Sequence, residues 1–162
     1  MRARSLKFAL TVAAVLAFVV PTTAAARTVP VEGRWQQLVN CAITSYNPFT
    51  KEFSCIGSSL WTGALTGVTD YVATGTFHAL SGDAAGTIRE TFRGRDDLGH
   101  RGTIAFTETF TLDGGASLIH IDATALGGTR GFAGVRGRLQ FDGFDNVATG
   151  FGPYTGFLRL RR

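Results

Sequence analysis

The sequence predicts an all-β protein, a single eight-stranded antiparallel meander barrel, on three observations. It contains 21 glycines and 13 phenylalanines among 162 residues, and only 17% of its residues are charged. This composition is typical of turn-rich β proteins and disfavours helical bundles, coiled coils and disordered chains. Apolar and polar residues alternate with period two in segments of roughly 8–10 residues, which indicates strands. Short turns rich in Gly or Asp separate these segments, as in an antiparallel meander.

The predicted strands follow one another along the chain with short turns such as 81–83 and 113–115 between them. Eight strands can close into a barrel, which leaves no exposed sheet edge. A barrel of this size is either filled by side chains or holds one small ligand. A two-sheet sandwich is an alternative with the same number of strands. The eight segments are 34–41, 59–68, 70–80, 86–94, 102–111, 117–125, 136–143 and 154–161.

Residues 1–26 have the pattern of an export signal. Arg2, Arg4 and Lys7 precede an apolar run of 13 residues at 8–20, and alanines at 24–26 supply a cleavage site. As a helix this run spans about 20 Å, which is short of the ~30 Å hydrocarbon core of a bilayer. We therefore expect cleavage rather than a stable membrane anchor, a secreted product, and one domain over residues 27–162.

The charge pattern disfavours a nucleic-acid partner. The net charge of +4 includes three cations of the segment 1–26, where there are no acids, so the remaining chain is almost neutral. Nucleic-acid binding needs a basic footprint that such a chain does not supply. Arginine outnumbers lysine 14 to 2, which suggests a bacterial source with a GC-rich genome.

Cys41 and Cys55 are the two cysteines of the sequence. An even number of cysteines in an exported chain indicates a disulfide bond. Because Asn47-Pro48 between them is a turn signal, we expect the bond to pin an excursion at the N-terminal end of the barrel domain.

The hairpin formed by the segments 86–94 and 102–111 places two carboxylates on its apolar face. Period two puts Glu90 on the face of Phe92, and Glu108 on the face of Ile104, Phe106 and Phe110. These four apolar residues are the candidate ligand-binding residues. The two glutamates face each other directly if the hairpin centres on residue 99, and they are diagonal neighbours if it centres on residue 98.

Glu90 and Glu108 are the candidate catalytic residues. Two carboxylates in an apolar interior do not both ionise readily, so one pKa rises and a general acid or a proton-sharing pair results. The same pair could bind a cation or the polar end of an apolar ligand. Alternatively, each glutamate has a structural partner, for which the candidates are Arg136, Arg138, Tyr71 and Tyr154.

No other segment has a strong catalytic signature. His120 and Asp122 share the outer face of a predicted strand, where a solvated pair is the favoured interpretation. Neither these residues nor His78 and His100 have metal-ligand spacing to the cysteines. Motifs of serine hydrolases, zinc peptidases and P-loop proteins are missing from the sequence. We therefore expect no metal and no cofactor.

Residues 126–137 read LGGTRGFAGVRG. This string resembles the Gly-Gly-[Ser/Thr]-Gly-x-Phe-x-Gly-x-x-Gly turn of allene oxide cyclase and dirigent barrels, and of small secreted bacterial domains of unknown function. The strings ETFRG at 90–94 and GTIAFTE at 102–108 fit the bacterial group, and the resemblance covers about residues 59–160. The order Arg130-Gly131 departs from the pattern and moves the positive-φ position by one residue. The resemblance implies a calycin-like barrel with an apolar cavity and a homotrimer, but no particular activity.

Three functions are open from the sequence. The first is a secreted barrel that binds a small apolar or amphipathic molecule in its cavity. The second is a cofactor-free isomerase or cyclase that uses Glu90 and Glu108. The third is a purely structural extracellular protein with a filled core.

Overall fold

The computed structural model describes residues 26–45, 49–145 and 149–160. The predicted export signal lies outside these residues except for Ala26, and so does the Asn47-Pro48 turn. Both therefore stay predictions.

The described chain forms a closed eight-stranded barrel, which confirms the predicted fold class and excludes the sandwich. Each strand pairs antiparallel with the next, and β8 pairs with β1 to close the sheet. The strands are β1 (Arg27–Ile43), β2 (Thr50–Gly63), β3 (Leu65–His78), β4 (Ala84–Asp96), β5 (Arg101–Asp113), β6 (Leu118–Gly128), β7 (Arg136–Asp145) and β8 (Thr149–Leu160).

The predicted strand 59–68 is wrong, because the chain turns within it. β2 ends at Gly63 and β3 begins at Leu65. Gly63 has φ +104°, and a Cβ there would lie 2.6 Å from the carbonyl oxygen of Glu32, so the tight turn requires glycine. Inward-facing residues continue with period two on both sides of this turn, so alternation alone could not locate it.

The predicted disulfide bond between Cys41 and Cys55 is present. The two cysteines lie opposite each other in the β1–β2 register. The β1–β2 ladder continues past the bond as far as the pair Ile43–Phe53. In the described ranges, no helix is long and apolar enough to cross a membrane.

One half of the barrel interior, which we call the closed half, is filled by aromatic side chains around Trp61. The ring of Trp61 is 1% exposed, and its centroid lies 5.0–5.6 Å from those of four other rings. One of them, Tyr154, accepts a hydrogen bond from the Leu65 backbone N–H at 3.0 Å through its hydroxyl. The four rings are Phe92, Phe106, Phe141 and Tyr154.

The glycine-rich segment after β6, which is not part of the sheet, covers this half of the interior. It forms a short 3-10 turn, Arg130–Phe132, whose Phe132 is buried with its ring centroid 6.2 Å from that of Phe92. Arg130 has φ +53°, so the left-handed position stays at 130, where the resembled turn has glycine, and the predicted shift by one residue is wrong.

Candidate functional site

The other half of the barrel contains a cavity of about 220 Å³, which we call the vestibule. It lies at the end where β1 and β2, and also β3 and β4, are joined. Here alanines at 73 and 84 occupy inward positions, whereas the closed half has Trp and Phe, so space remains between the strands. Its wall is mostly apolar and includes Val39, Phe53, Phe77, Ile88, Phe110 and Leu112; its polar residues are Gln37, Lys51, Tyr71 and Asp145.

A second, much smaller cavity lies between the vestibule and the closed half, and we call it the polar chamber. Its volume is about 10 Å³, which is the space of a single water molecule. Gln37, Tyr71 and Ile88 line both cavities, so the two adjoin. The rest of the chamber wall consists of Trp35, Ser59, Trp61, Glu90, Glu108, Ile121 and Phe141.

The two predicted glutamates meet inside the barrel at the polar chamber. Arg95 pairs with Arg101, so the hairpin centres on residue 98 and the glutamates are diagonal neighbours, the second of the two predicted geometries. Glu90 is 6% exposed and Glu108 is 4% exposed. Their carboxyl groups are hydrogen-bonded to each other.

Thr69 holds the carboxyl group of Glu90 from the neighbouring strand. Its side chain is hydrogen-bonded to Glu90. The same hydroxyl oxygen accepts a hydrogen bond from the Ser59 backbone N–H at 3.2 Å. Because a hydroxyl that accepts from a backbone N–H still has its own proton to donate, Thr69 is a donor to Glu90.

Burial raises the pKa of both glutamates. The pKa of Glu108 is raised further by the negative charge of Glu90 and by their mutual hydrogen bond, whereas the same hydrogen bond and that of Thr69 oppose the rise at Glu90. Both pKa values are therefore raised, and the two carboxyl groups share one proton instead of both ionising. Burial also raises the pKa of Tyr71, with smaller contributions from Asp145, Glu90 and Glu108.

Of the four candidate partners of the glutamates, Tyr71 alone lines the polar chamber. Arg136 and Arg138 are exposed on the outside of the barrel, and Tyr154 lies in the closed half. None of the described residues that line the chamber is positively charged. The pair is therefore stabilised by sharing a proton rather than by a neighbouring cation.

The four candidate ligand-binding residues are divided between the two halves of the interior. Phe110 lines the vestibule. Phe92, Ile104 and Phe106 are buried in the closed half and do not line either cavity. Phe110 therefore lines the cavity that adjoins the chamber of the two glutamates. The other three residues lie away from both cavities.

Several residues of the site were not singled out in the sequence. Trp35 and Gln37 alternate inward within the predicted strand 34–41, which was a usable signal. Two glycines make room for polar side chains: a Cβ at Gly57 would lie 2.3 Å from the Tyr71 hydroxyl, and one at Gly150 would lie 2.6 Å from the Gln37 side-chain nitrogen. Gln37 donates to Asp145 across 3.0 Å at the vestibule wall.

His120 and Asp122 lie on the outer face, as predicted, away from both cavities. The Nδ1 atom of His120 is 2.6 Å from Oδ1 of Asp142, and its Nε2 atom is 3.4 Å from Oδ2 of Asp122. The hydrogen bond with Asp142 raises the pKa of His120. The group is solvated, and it takes no part in the candidate site.

Comparison with known proteins shows the fold. No family model matches the sequence, and no curated protein matches it. A protein of unknown function from the DUF3224 family of Shewanella oneidensis MR-1 is similar in structure, with a TM-score of 0.63 and 12% identity over 84% of this chain and 99% of that one. A pterocarpan synthase dirigent protein is similar with a TM-score of 0.54 and 12% identity over 93% of this chain and 98% of that one. The fold is a dirigent-like barrel.

Proposed function

We propose that this protein binds a small apolar or amphipathic molecule in the vestibule. The proposal rests on one observation: an open, mostly apolar cavity of about 220 Å³ adjoins a buried polar chamber. An apolar cavity of ~150 Å³ holds benzene, so the vestibule has room for a somewhat larger body. Ligand sites typically combine apolar walls with a few polar groups in this way. A purely structural barrel would gain stability from filling this space, which disfavours the third function.

The polar chamber gives a ligand a defined orientation. The apolar part of a ligand is favoured in the vestibule, where each Å² of apolar surface removed from water contributes roughly 25 cal/mol to binding. A polar end would be costly to bury there but finds hydrogen-bonding groups at the chamber. An amphipathic molecule would therefore enter with its polar end towards Glu108.

Filling the vestibule is expected to abolish binding. Ala73→Phe places a large side chain from β3 into the cavity, and we expect the affinity for a neutral apolar dye such as Nile red to fall at least about tenfold. Dye fluorescence titrations measure the affinity, and urea unfolding verifies that the variant is folded.

The matched control is Ala85→Phe, in which the same side chain stands on the outer, exposed face of β4. This variant is expected to bind the dye like the unmodified protein. Unchanged binding by a folded Ala73→Phe variant would show that the dye does not occupy the vestibule, and would contradict the proposal.

A second candidate function is a cofactor-free isomerase or cyclase. The proton shared by Glu90 and Glu108 favours it, since a protonated carboxyl group beside an apolar pocket can act as a general acid. The similar dirigent protein is named a pterocarpan synthase, which supports a reaction in a barrel of this kind. Chromatography of a ligand recovered after incubation separates the two functions: an altered isomer indicates catalysis, and an unchanged molecule indicates binding.

We further propose that the protein is exported and forms a homo-oligomer, a trimer by the family resemblance. The N-terminal signal pattern and the disulfide bond support export. Exposed apolar side chains on both sides of Gln36, at one level of the outer sheet, support self-association; they are Leu60 and Val68 on one side and Phe151, Phe144 and Leu118 on the other. Native mass spectrometry of the protein from its own source gives both the processed mass and the number of subunits.

A further inference from the structure

Three polar atoms in the barrel interior are buried without a hydrogen-bond partner in the described structure. They are Nε1 of Trp35, the hydroxyl oxygen of Tyr71 and Oε1 of Glu108. Their residues are 3%, 6% and 4% exposed, and all three line the polar chamber. Buried polar groups normally have partners, and three orphans around one small space indicate that a polar group belongs there.

The chemistry of these atoms restricts that group. The indole N–H of Trp35 can only donate a hydrogen bond. Oε1 of Glu108 accepts, since the hydrogen bond of this residue to Glu90 is made through the other oxygen. The hydroxyl of Tyr71 can do either. A group that satisfies the chamber must therefore accept at least one hydrogen bond and donate at least one.

Most common polar groups do not meet this requirement. An ammonium group only donates and leaves Trp35 without a partner, while an ether or a carbonyl oxygen only accepts and leaves Glu108 without one. A carboxylate would add negative charge beside Glu90. A primary amide has both functions but needs more room than the chamber of about 10 Å³ offers. A hydroxyl group has both functions and the size of the water molecule it would replace.

We propose that the ligand is an apolar alcohol, whose hydroxyl group lies in the polar chamber, accepts from Trp35 and donates to Glu108. Its carbon body fills the vestibule, and the hydroxyl of Tyr71, which lines both cavities, donates a second hydrogen bond to the alcohol oxygen where they adjoin. The inference rests on the proposed function, because it assigns the polar end of a molecule bound in the vestibule.

Three probes with one carbon body test the assignment: 2-cyclohexylethanol, its methyl ether and 2-cyclohexylethylamine. Their dissociation constants are measured by displacement of Nile red and by isothermal calorimetry at neutral pH. We expect the alcohol to bind at least about tenfold more tightly than the ether and the amine, because each of these leaves a buried atom unpaired.

Two variants locate the preference in the chamber. Trp35→Phe removes the indole donor and keeps an aromatic ring, and Tyr71→Phe removes the hydroxyl with little change of shape. In a folded variant the affinity for the alcohol is expected to fall at least about fivefold, and its advantage over the amine to shrink, because the amine accepts from neither removed donor. Its advantage over the ether is expected to persist, because that advantage comes from the donation to Glu108. Tyr71→Phe keeps the test available if Trp35→Phe does not fold.

The possible results separate this inference from the proposed function. Equal affinities for the alcohol and the ether, or tightest binding of the amine, would overturn the alcohol assignment and leave the vestibule as a binding site. An affinity for the alcohol and an advantage over the amine that both stay unchanged in the two variants would also overturn it. If the unmodified protein binds neither Nile red nor any of the three probes, the proposed function is refuted instead.

Discussion

Replacing Trp61 by alanine is expected to lower the free energy of unfolding by about 3–5 kcal/mol, the usual cost of removing a large buried aromatic side chain. Trp61 is 1% exposed and stands in the middle of the closed half. Its ring centroid lies 5.0 Å from that of Phe141 and 5.3 Å from that of Tyr154. The cavity left behind cannot collapse easily, because the surrounding strands are held in a closed sheet.

Urea unfolding followed by circular dichroism measures this loss. Trp61→Phe is the control, since it keeps an aromatic ring in the cluster and is expected to cost clearly less than the alanine variant. Phe157→Ala, on the exposed outer face of β8, is expected to change stability little. A loss below about 1 kcal/mol in Trp61→Ala would show that the closed half is not densely packed around this ring.

Replacing Glu108 by glutamine is expected to stabilise the protein at neutral and alkaline pH, by an amount on the order of 1–3 kcal/mol. The pKa of Glu108 is raised in the folded state above the ordinary value of 4.5. Between these two pKa values the folded protein binds more protons than the unfolded chain. Stability therefore falls as the pH rises from about 4.5 through the folded-state pKa, and a neutral amide at this position removes that loss.

Unfolding free energies measured in urea test this expectation. The measurements run from about pH 4 to about pH 9, a range that covers ordinary and raised carboxyl pKa values. The slope of stability against pH should be flatter in Glu108→Gln than in the unmodified protein. Lys51, Tyr71 and Asp145, the other titratable groups that line the two cavities, are retained in both proteins. Glu52→Gln, at an exposed glutamate on β2, is the matched control substitution. A loss of several kcal/mol at every pH in Glu108→Gln would instead assign the pair a structural role.

The sequence was sufficient to predict the inward direction of Glu90 and Glu108, because a strand pattern of period two fixes the face of every residue once the hairpin is assigned. The disulfide bond was predicted separately, from the even number of cysteines in a chain with an export signal. The turn at Gly63 was missed since the alternation of Trp61 and Leu65 continues across it. Periodicity reports the face of a side chain, but not whether the chain reverses.

The division of the interior into a filled and an open half could not be predicted from single strands. It depends on which side chains from all eight strands meet at one level of the barrel. Phe106 and Phe110 belong to the same strand and the same face, yet one lies in the closed half and the other lines the vestibule. Trp35 and Glu108 likewise meet at the chamber only after the sheet closes between β8 and β1.

The proton shared by Glu90 and Glu108 beneath the vestibule is the central feature of the site, and carbon-13 NMR of the glutamate side chains tests it most directly. The sequence has four glutamates, of which Glu32 and Glu52 are exposed. We expect the carboxyl signals of Glu90 and Glu108 to titrate above the ordinary value of 4.5, because burial raises the pKa of both groups. Glu108→Gln assigns the signals. Signals of Glu90 and Glu108 that both titrate near 4.5 would contradict a buried, proton-sharing pair.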